Sequence, residues 1–476
     1  MNRNSAGPHR QRGAALLVMM LGVILATATV LVVTVNVDAL KARRQATSLD
    51  VLGQARDALL DYALVSPQLT PGGSHGLPCP DIDATGGFLE GEAHTTACGA
   101  AGETVIGRLP WRTLGLPALK DGSSECLWYV VSGSWKHADG ATAAMINADT
   151  NGQLQLASVD TGALLVGAAA EDRPVAAIIA AMPPLDRQNR PATGAGMQCS
   201  DPRRISDYLE DDAASGSSNS ALLGSPDVID VLGLAAEANE LHNDKVVLIS
   251  RADVARRIHA RPSFNTDMRD LGLAAAACIA DYASKNPGGV TDRRMPWPAP
   301  VSLGDYRQDA QYDDTAGTLL AGRLADVVDD SSGLTANPVA RVLSDCDSAA
   351  VPAWTTAMQV RWQHWKDHFF YAVAASFAPT AAVPSVCSDC LSVNGTGSYA
   401  AILMFGNRRL TGAGQVRNAP PLDADTRSLP SNYLETANAA NVPGTGTLLD
   451  YASQAASASF NDLLFCIDDN LVVSEC

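Results

Sequence analysis

The sequence predicts an α+β fold in which one long amino-terminal helix, with a membrane-spanning first half, packs on an antiparallel-sheet head. A second, duplicated α+β head follows, with no second membrane span. Three observations lead there. Ala14 to Val65 contains no proline. Separated β-type runs follow it, and the second half of the chain repeats the landmarks of the first.

The helix comes first. From Ala14 to Val37 no charged residue interrupts an apolar run, which as a helix would reach about 36 Å against about 30 Å of hydrocarbon. Beyond it, Leu49, Leu52, Ala55, Leu59, Tyr62 and Ala63 form an apolar stripe, while Asp50, Arg56, Asp57 and Asp61 lie mostly off it. Continuous helix over both parts would be about 80 Å long. Ser66-Pro67 and Pro71-Gly72-Gly73 are expected to stop it. The head then opens with loops around Leu77-Pro78-Cys79-Pro80 and Gly107-Arg108-Leu109. Its strands are expected at Cys126–Ser132, Val175–Ile179 and Lys245–Ile249.

A second helix is expected from Ala252 to about Lys285, with a break at Pro262. Landmarks then recur in order, at an offset of about 220 residues. Asp61-Tyr62-Ala63 returns as Asp281-Tyr282-Ala283, Gly107-Arg108-Leu109 as Gly322-Arg323-Leu324, and Trp128-Tyr129 as Phe370-Tyr371. Gln188-Asn189-Arg190 corresponds to Gln415-Val416-Arg417, Tyr208-Leu209-Glu210 to Tyr433-Leu434-Glu435, and Asn243-Asp244 to Asn461-Asp462. The expected organisation is a leader at 1–13, a helix at 14–66, a first head at 67–251 and a duplicated second head at 252–476.

Composition narrows the function. A formal net charge of −17 argues against nucleic acid and against docking on anionic lipid. Ten cysteines in an exported chain read as disulfides. Neighbours in sequence close small rings at little entropic cost, so Cys79 with Cys98, Cys387 with Cys390 and Cys466 with Cys476 are the expected pairs. Spacing leaves Cys126, Cys199, Cys278 and Cys346 unassigned.

No catalytic constellation stands out, and the chain is read as non-enzymatic. His364 and His368 have the i, i+4 spacing of a zinc protease, but Trp365 stands where the catalytic glutamate belongs. Cys387-Ser388-Asp389-Cys390 has redox spacing, yet no helix pattern follows it and no second pair matches it. No nucleophile elbow, phosphate loop or dinucleotide fingerprint is present.

Arg10-Gln11-Arg12-Gly13, running directly into the apolar segment, resembles the signal of type IV pilins and pseudopilins. Leu77-Pro78-Cys79-Pro80-Asp81 and Gly107-Arg108-Leu109-Pro110-Trp111 look like segments of large pilin-like proteins of bacterial pilus and secretion systems. The resemblance implies cleavage by prepilin peptidase between Gly13 and Ala14, N-methylation of Ala14, and a single-pass anchor in the bacterial inner membrane with periplasmic or extracellular heads. Other pilin-like subunits and the filament assembly machinery would be its partners, in a type IV pilus or a type II secretion filament. Val18 departs from the pattern, standing where most pilins carry a glutamate, and Val35 stands where many carry a proline. An apolar residue in place of that glutamate, together with two bulky heads, implies a minor subunit at the tip or in initiation. The alternative is a membrane-anchored surface binding or adhesin module that joins no filament. Pseudopilin loops similar to Asp81-Ile82-Asp83 bind calcium, so Asp81 and Asp83 are the candidate ligands of a weak calcium site, although the later loop glutamate is missing. No other cofactor is expected.

Overall fold

The computed structural model describes residues 12–69, 76–82, 89–94, 98–100, 102–136, 145–190, 199, 204–285, 292–314, 319–328, 340–381, 387–419, 422–446 and 449–476. Helix α1 is bounded by Arg12–Leu69, passing Pro67 in its last turn. Its described side chains fall in two stretches, 16–27 and 39–65, and only the second packs on the body. Leu52, Ala55, Leu59 and Ala63 are fully buried there, at the i, i+3, i+4 spacing read from the sequence.

Among the described residues, no helix is long and apolar enough to cross a membrane. The stretch 39–65 carries Lys41, Arg43, Arg44, Asp50, Arg56, Asp57 and Asp61. The expected long helix with a membrane-spanning first half, packed on a sheet, is therefore corrected to an α+β body engaged by the last turns of α1 alone. The single-pass inner-membrane placement falls with it.

Two mainly antiparallel sheets form the body. The first orders β1 (Val105–Arg108), β2 (Trp128–Val131), β5 (Pro174–Ala180) and β9 (Lys245–Ser250) as β1-β2-β5-β9. Period-two alternation divides β2 cleanly. Tyr129 and Val131 enter the core that α1 covers, whereas Trp128 and Val130 face a second cluster. That cluster lies under the accessory sheet of β3 (Leu154–Ser158), β4 (Leu164–Val166) and β8 (Asp230–Leu234), ordered β4-β3-β8. A small hairpin, β6 (Asp211–Asp212) with β7 (Ser217–Ser218), stands apart.

Two helices lead into the second half. α2 (Arg251–Ala260) is capped by Ser250, and Arg261-Pro262 ends it before α3 (Phe264–Lys285). The proline cannot donate to an extended helix, so the axis breaks where the sequence indicated. The second sheet places β10 (Ala321–Arg323) beside β11 (Phe369–Val373), and β11 beside β13 (Thr396–Phe405). β12 (Leu391–Val393) pairs the start of β13, and β14 (Asp450–Tyr451) runs parallel to β12. The far edge of β13 takes β15 (Leu463–Asp468), which then pairs β16 (Val473–Glu475). The path β10-β11-β13-β15 thus has the order of β1-β2-β5-β9. α3 lies on this sheet so closely that a Cβ on Gly272 would fall 2.1 Å from the Phe465 ring. Two short helices, α4 (Thr356–Trp365) and α5 (Thr436–Ala440), complete the fold.

The same contacts occur in both halves. Arg108 and Arg323 lie over Trp128 and Phe370, at 3.7 and 4.0 Å from the ring centres. The Tyr129 and Tyr371 hydroxyls donate to the Pro78 and Pro296 carbonyls. A Cβ on Gly107 or Gly322 would strike the Asp81 or Ala299 carbonyl, at 2.7 and 2.3 Å. These backbones approach because the side chain is absent.

Candidate functional site

The two halves meet along a polar seam that opens into a cleft of about 570 Å³. From the first half come the turn after β2, the segment Met145–Gln153 and Pro226-Asp227. The second half supplies Gly304, Asp305, Arg307, Asp367, Arg417, Ala419, Leu422, Asp423 and Arg427.

Asp149 sits at its base. Its Oδ2 accepts from Arg417 Nη1 at 2.8 Å and lies 3.5 Å from His368 Nε2. Arg417 is wholly buried and also donates to the Asn407 and Asn432 carbonyls. Burial pushes the Asp149 carboxyl upward, but the charge of Arg417, with Arg251 and Arg409, outweighs it and holds the group well below the usual carboxylate range. Asp149 is therefore ionised at neutral pH. Burial, reinforced by Arg417, lowers His368 despite Asp367 and Asp149, which keeps its imidazole neutral. Its Nδ1 donates to the Gly406 carbonyl at 2.7 Å.

Further bonds lock the halves together. Arg173 grips Asp423 with both guanidinium nitrogens, at 2.7 and 3.2 Å. Asn147 Nδ2 donates to Asp367 Oδ1 and to the His364 carbonyl, while Ile146 N–H donates to His364 Nδ1 at 3.2 Å. His364 and His368 are thus buried bracing groups whose ring nitrogens face backbone and carboxylate. Among the described residues, no three His, Cys, Asp or Glu side chains are grouped to hold a metal ion.

A second polar device occurs twice. Asp244 Oδ2 accepts from Glu210 N–H and Asn219 Nδ2, and Asp462 Oδ2 accepts from Glu435 N–H and Asn438 Nδ2. Glu210 Oε2 accepts from the N–H groups of Asn243 and Asp244, and Glu435 Oε2 from that of Asn461. Burial, then the adjacent glutamate, raises both aspartates well above the ordinary carboxyl value. Each aspartate therefore holds its proton more tightly than a free carboxyl does.

The residues singled out in the sequence are scattered. Gly13 and Ala14 fall in the first turn of α1, where their side chains are outside the described set, and Val18 is 70 % exposed. Cys79–Cys98, Cys387–Cys390 and Cys466–Cys476 are bonded, and Cys126–Cys199 and Cys278–Cys346 join them. Asp81 is buried, its Oδ2 accepting from Gly91 N–H at 2.7 Å, and Asp83 lies outside the described residues. None of those among the described residues lines the cleft. Sequence reasoning missed Asp149, Asp227 and Asp423; only Arg417 carried a signal, as the counterpart of Arg190. No family model, curated protein or solved structure matches this chain.

Proposed function

We propose that this chain is a non-enzymatic, pilin-like structural subunit of a type IV pilus or type II secretion filament, at the tip or in initiation. The observation that carries this reading is the exposed apolar start of α1. From Leu16 to Leu25 the large side chains are between 56 % and 73 % exposed. A continuous apolar surface of this kind marks an interaction site. Being apolar all round, it needs cover on every side, which a bundle of parallel helices from neighbouring subunits provides. The paired helix-on-sheet units and five disulfides are consistent with a durable body in an oxidising compartment.

Two measurements test the reading. Intact mass of the protein from its native host should show a mature start at N-methylated Ala14, as prepilin peptidase processing requires. Sheared filaments should carry the chain in few copies. An unprocessed amino terminus, with the chain absent from every filament fraction, would leave a surface binding module that joins no filament. Val18→Glu separates tip from shaft. A tip subunit has no neighbour ahead whose amino terminus could pair with the carboxylate, so incorporation should not rise; a clear rise would remove the tip assignment.

A further inference from the structure

We propose that the cleft between the halves binds an alkyl cation, meaning an ammonium or guanidinium on an aliphatic stem. A lysine or arginine side chain of a partner polypeptide and a free polyamine share that chemistry. The site does not depend on the filament reading.

The lining has used its neutral donors internally. Gln153 Nε2 donates to the Gly102 and Pro226 carbonyls, Ser134 Oγ to the Asn151 carbonyl and Thr150 Oγ1 to the Met145 carbonyl. Asn147 and Asn151 donate across the seam. Arg307 and Arg427 are neutralised by Asp305 and Asp425. Acceptors remain. Asp149, whose side chain is 9 % exposed, uses Oδ2 for Arg417, while its Oδ1 makes no hydrogen bond among the described residues. At the rim the exposed Asp227 carboxylate likewise has no partner among them. A deep carboxylate oxygen and a rim carboxylate together select a charged donor, since charge-assisted bonds are the stronger ones.

Shape and wall chemistry narrow the class. Met145, Pro226 and Leu422 give the cleft apolar wall alongside its carboxylates, as an aliphatic stem with a charged head requires. Among the described residues no aromatic side chain lines it, so they offer no stacking platform of the kind a sugar ring or nucleobase uses. About 570 Å³ lies within the range of small-ligand sites.

The test uses the full chain with native disulfides and calorimetric titration at low salt. The probes are acetyl-Gly-Lys-Gly-amide, its norleucine and glutamate counterparts, and spermidine. The lysine peptide or spermidine should bind and the other two should not. Binding of the peptide alone identifies a partner chain as the source, and tighter binding of spermidine a free polyamine. Asp227→Asn, an exposed change that leaves the fold intact, should weaken binding about 3- to 10-fold, the size of one solvent-exposed charge-assisted contact. Asp149→Asn should weaken it further. The proposal is overturned if no probe binds at 10 mM, if the norleucine or glutamate peptide binds as well as lysine, or if Asp227→Asn changes nothing.

Discussion

At the scale of single residues, the buried charges of this protein are distinguished by where their partners come from. Arg190 in the first half lies 3.6 Å from Glu125 of its own half. Its counterpart Arg417 instead takes Asp149 from the other half, so the same position acts as a seam. Arg417→Met leaves an ionised Asp149 buried beside it and should cost about 3–5 kcal/mol of stability in denaturant melts. Arg417→Met with Asp149→Asn should cost less than the two single changes added together. The carboxyl pairs Glu210–Asp244 and Glu435–Asp462 predict a pH dependence. A raised aspartate binds its proton more tightly folded than unfolded, so the unfolded chain holds fewer protons once pH passes about 4. The stability these protons supply is full at and below that pH and is lost as pH rises through the folded value. Asp244→Asn and Asp462→Asn should therefore flatten the fall of melting temperature between pH 4 and neutrality, and an unchanged slope would refute the raised aspartates.

At the scale of elements, the joints between helix and sheet are the sensitive places. α3 meets β15 with no room at Gly272, so Gly272→Ala should destabilise by about 1–3 kcal/mol through overpacking, although alanine is the better helix former. The start of α2 is held by a reciprocal pair, Asp253 N–H to Ser250 Oγ and Ser250 N–H to Asp253 Oδ2, both at 3.1 Å. Asp253 Oδ2 also lies 3.1 Å from Arg56 on α1. Ser250→Ala should cost about 1 kcal/mol in a thermal melt. These elements were legible in the sequence because their signals are local. Lys245–Ser250, the break at Pro262 and the end at Lys285 all follow from β-branched runs, a missing N–H and a turn. The accessory sheet was not legible. β3 pairs β8 in parallel across a long intervening segment, and nothing in a strand five residues long names so distant a partner.

At the scale of the whole molecule, long-range disulfides tie each half to itself. Cys126–Cys199 and Cys278–Cys346 close loops of 73 and 68 residues. Replacing either pair by serine should cost about 4 kcal/mol by the chain-entropy estimate, read as a lower denaturant midpoint. Cys387–Cys390, separated by 3 residues, should matter least. The seam between the halves adds a further constraint. Arg173–Asp423, Arg417–Asp149 and Asn147–Asp367 join residues more than 200 positions apart, so either half expressed alone would expose charges that are now paired.

The sequence by itself determined the α+β class, the recurrence of landmarks, the three disulfides between neighbouring cysteines and the broken second helix. Apart from the recurrence, which is read by comparing the two halves, each rests on periodicity, on turn chemistry or on a short ring, and all of these act locally along the chain. It misleads at the amino terminus, where an apolar run reads as a membrane span, although no helix among the described residues is long and apolar enough for one. Only the tertiary structure decided the cleft. Asp149 and Asp227 lie outside the repeated landmarks, and an isolated aspartate in a loop reads as a solvated turn. What turns it into the base of a site is the arrival of Arg417, His368 and Asp367 from the other half, and that proximity is a property of the folded chain.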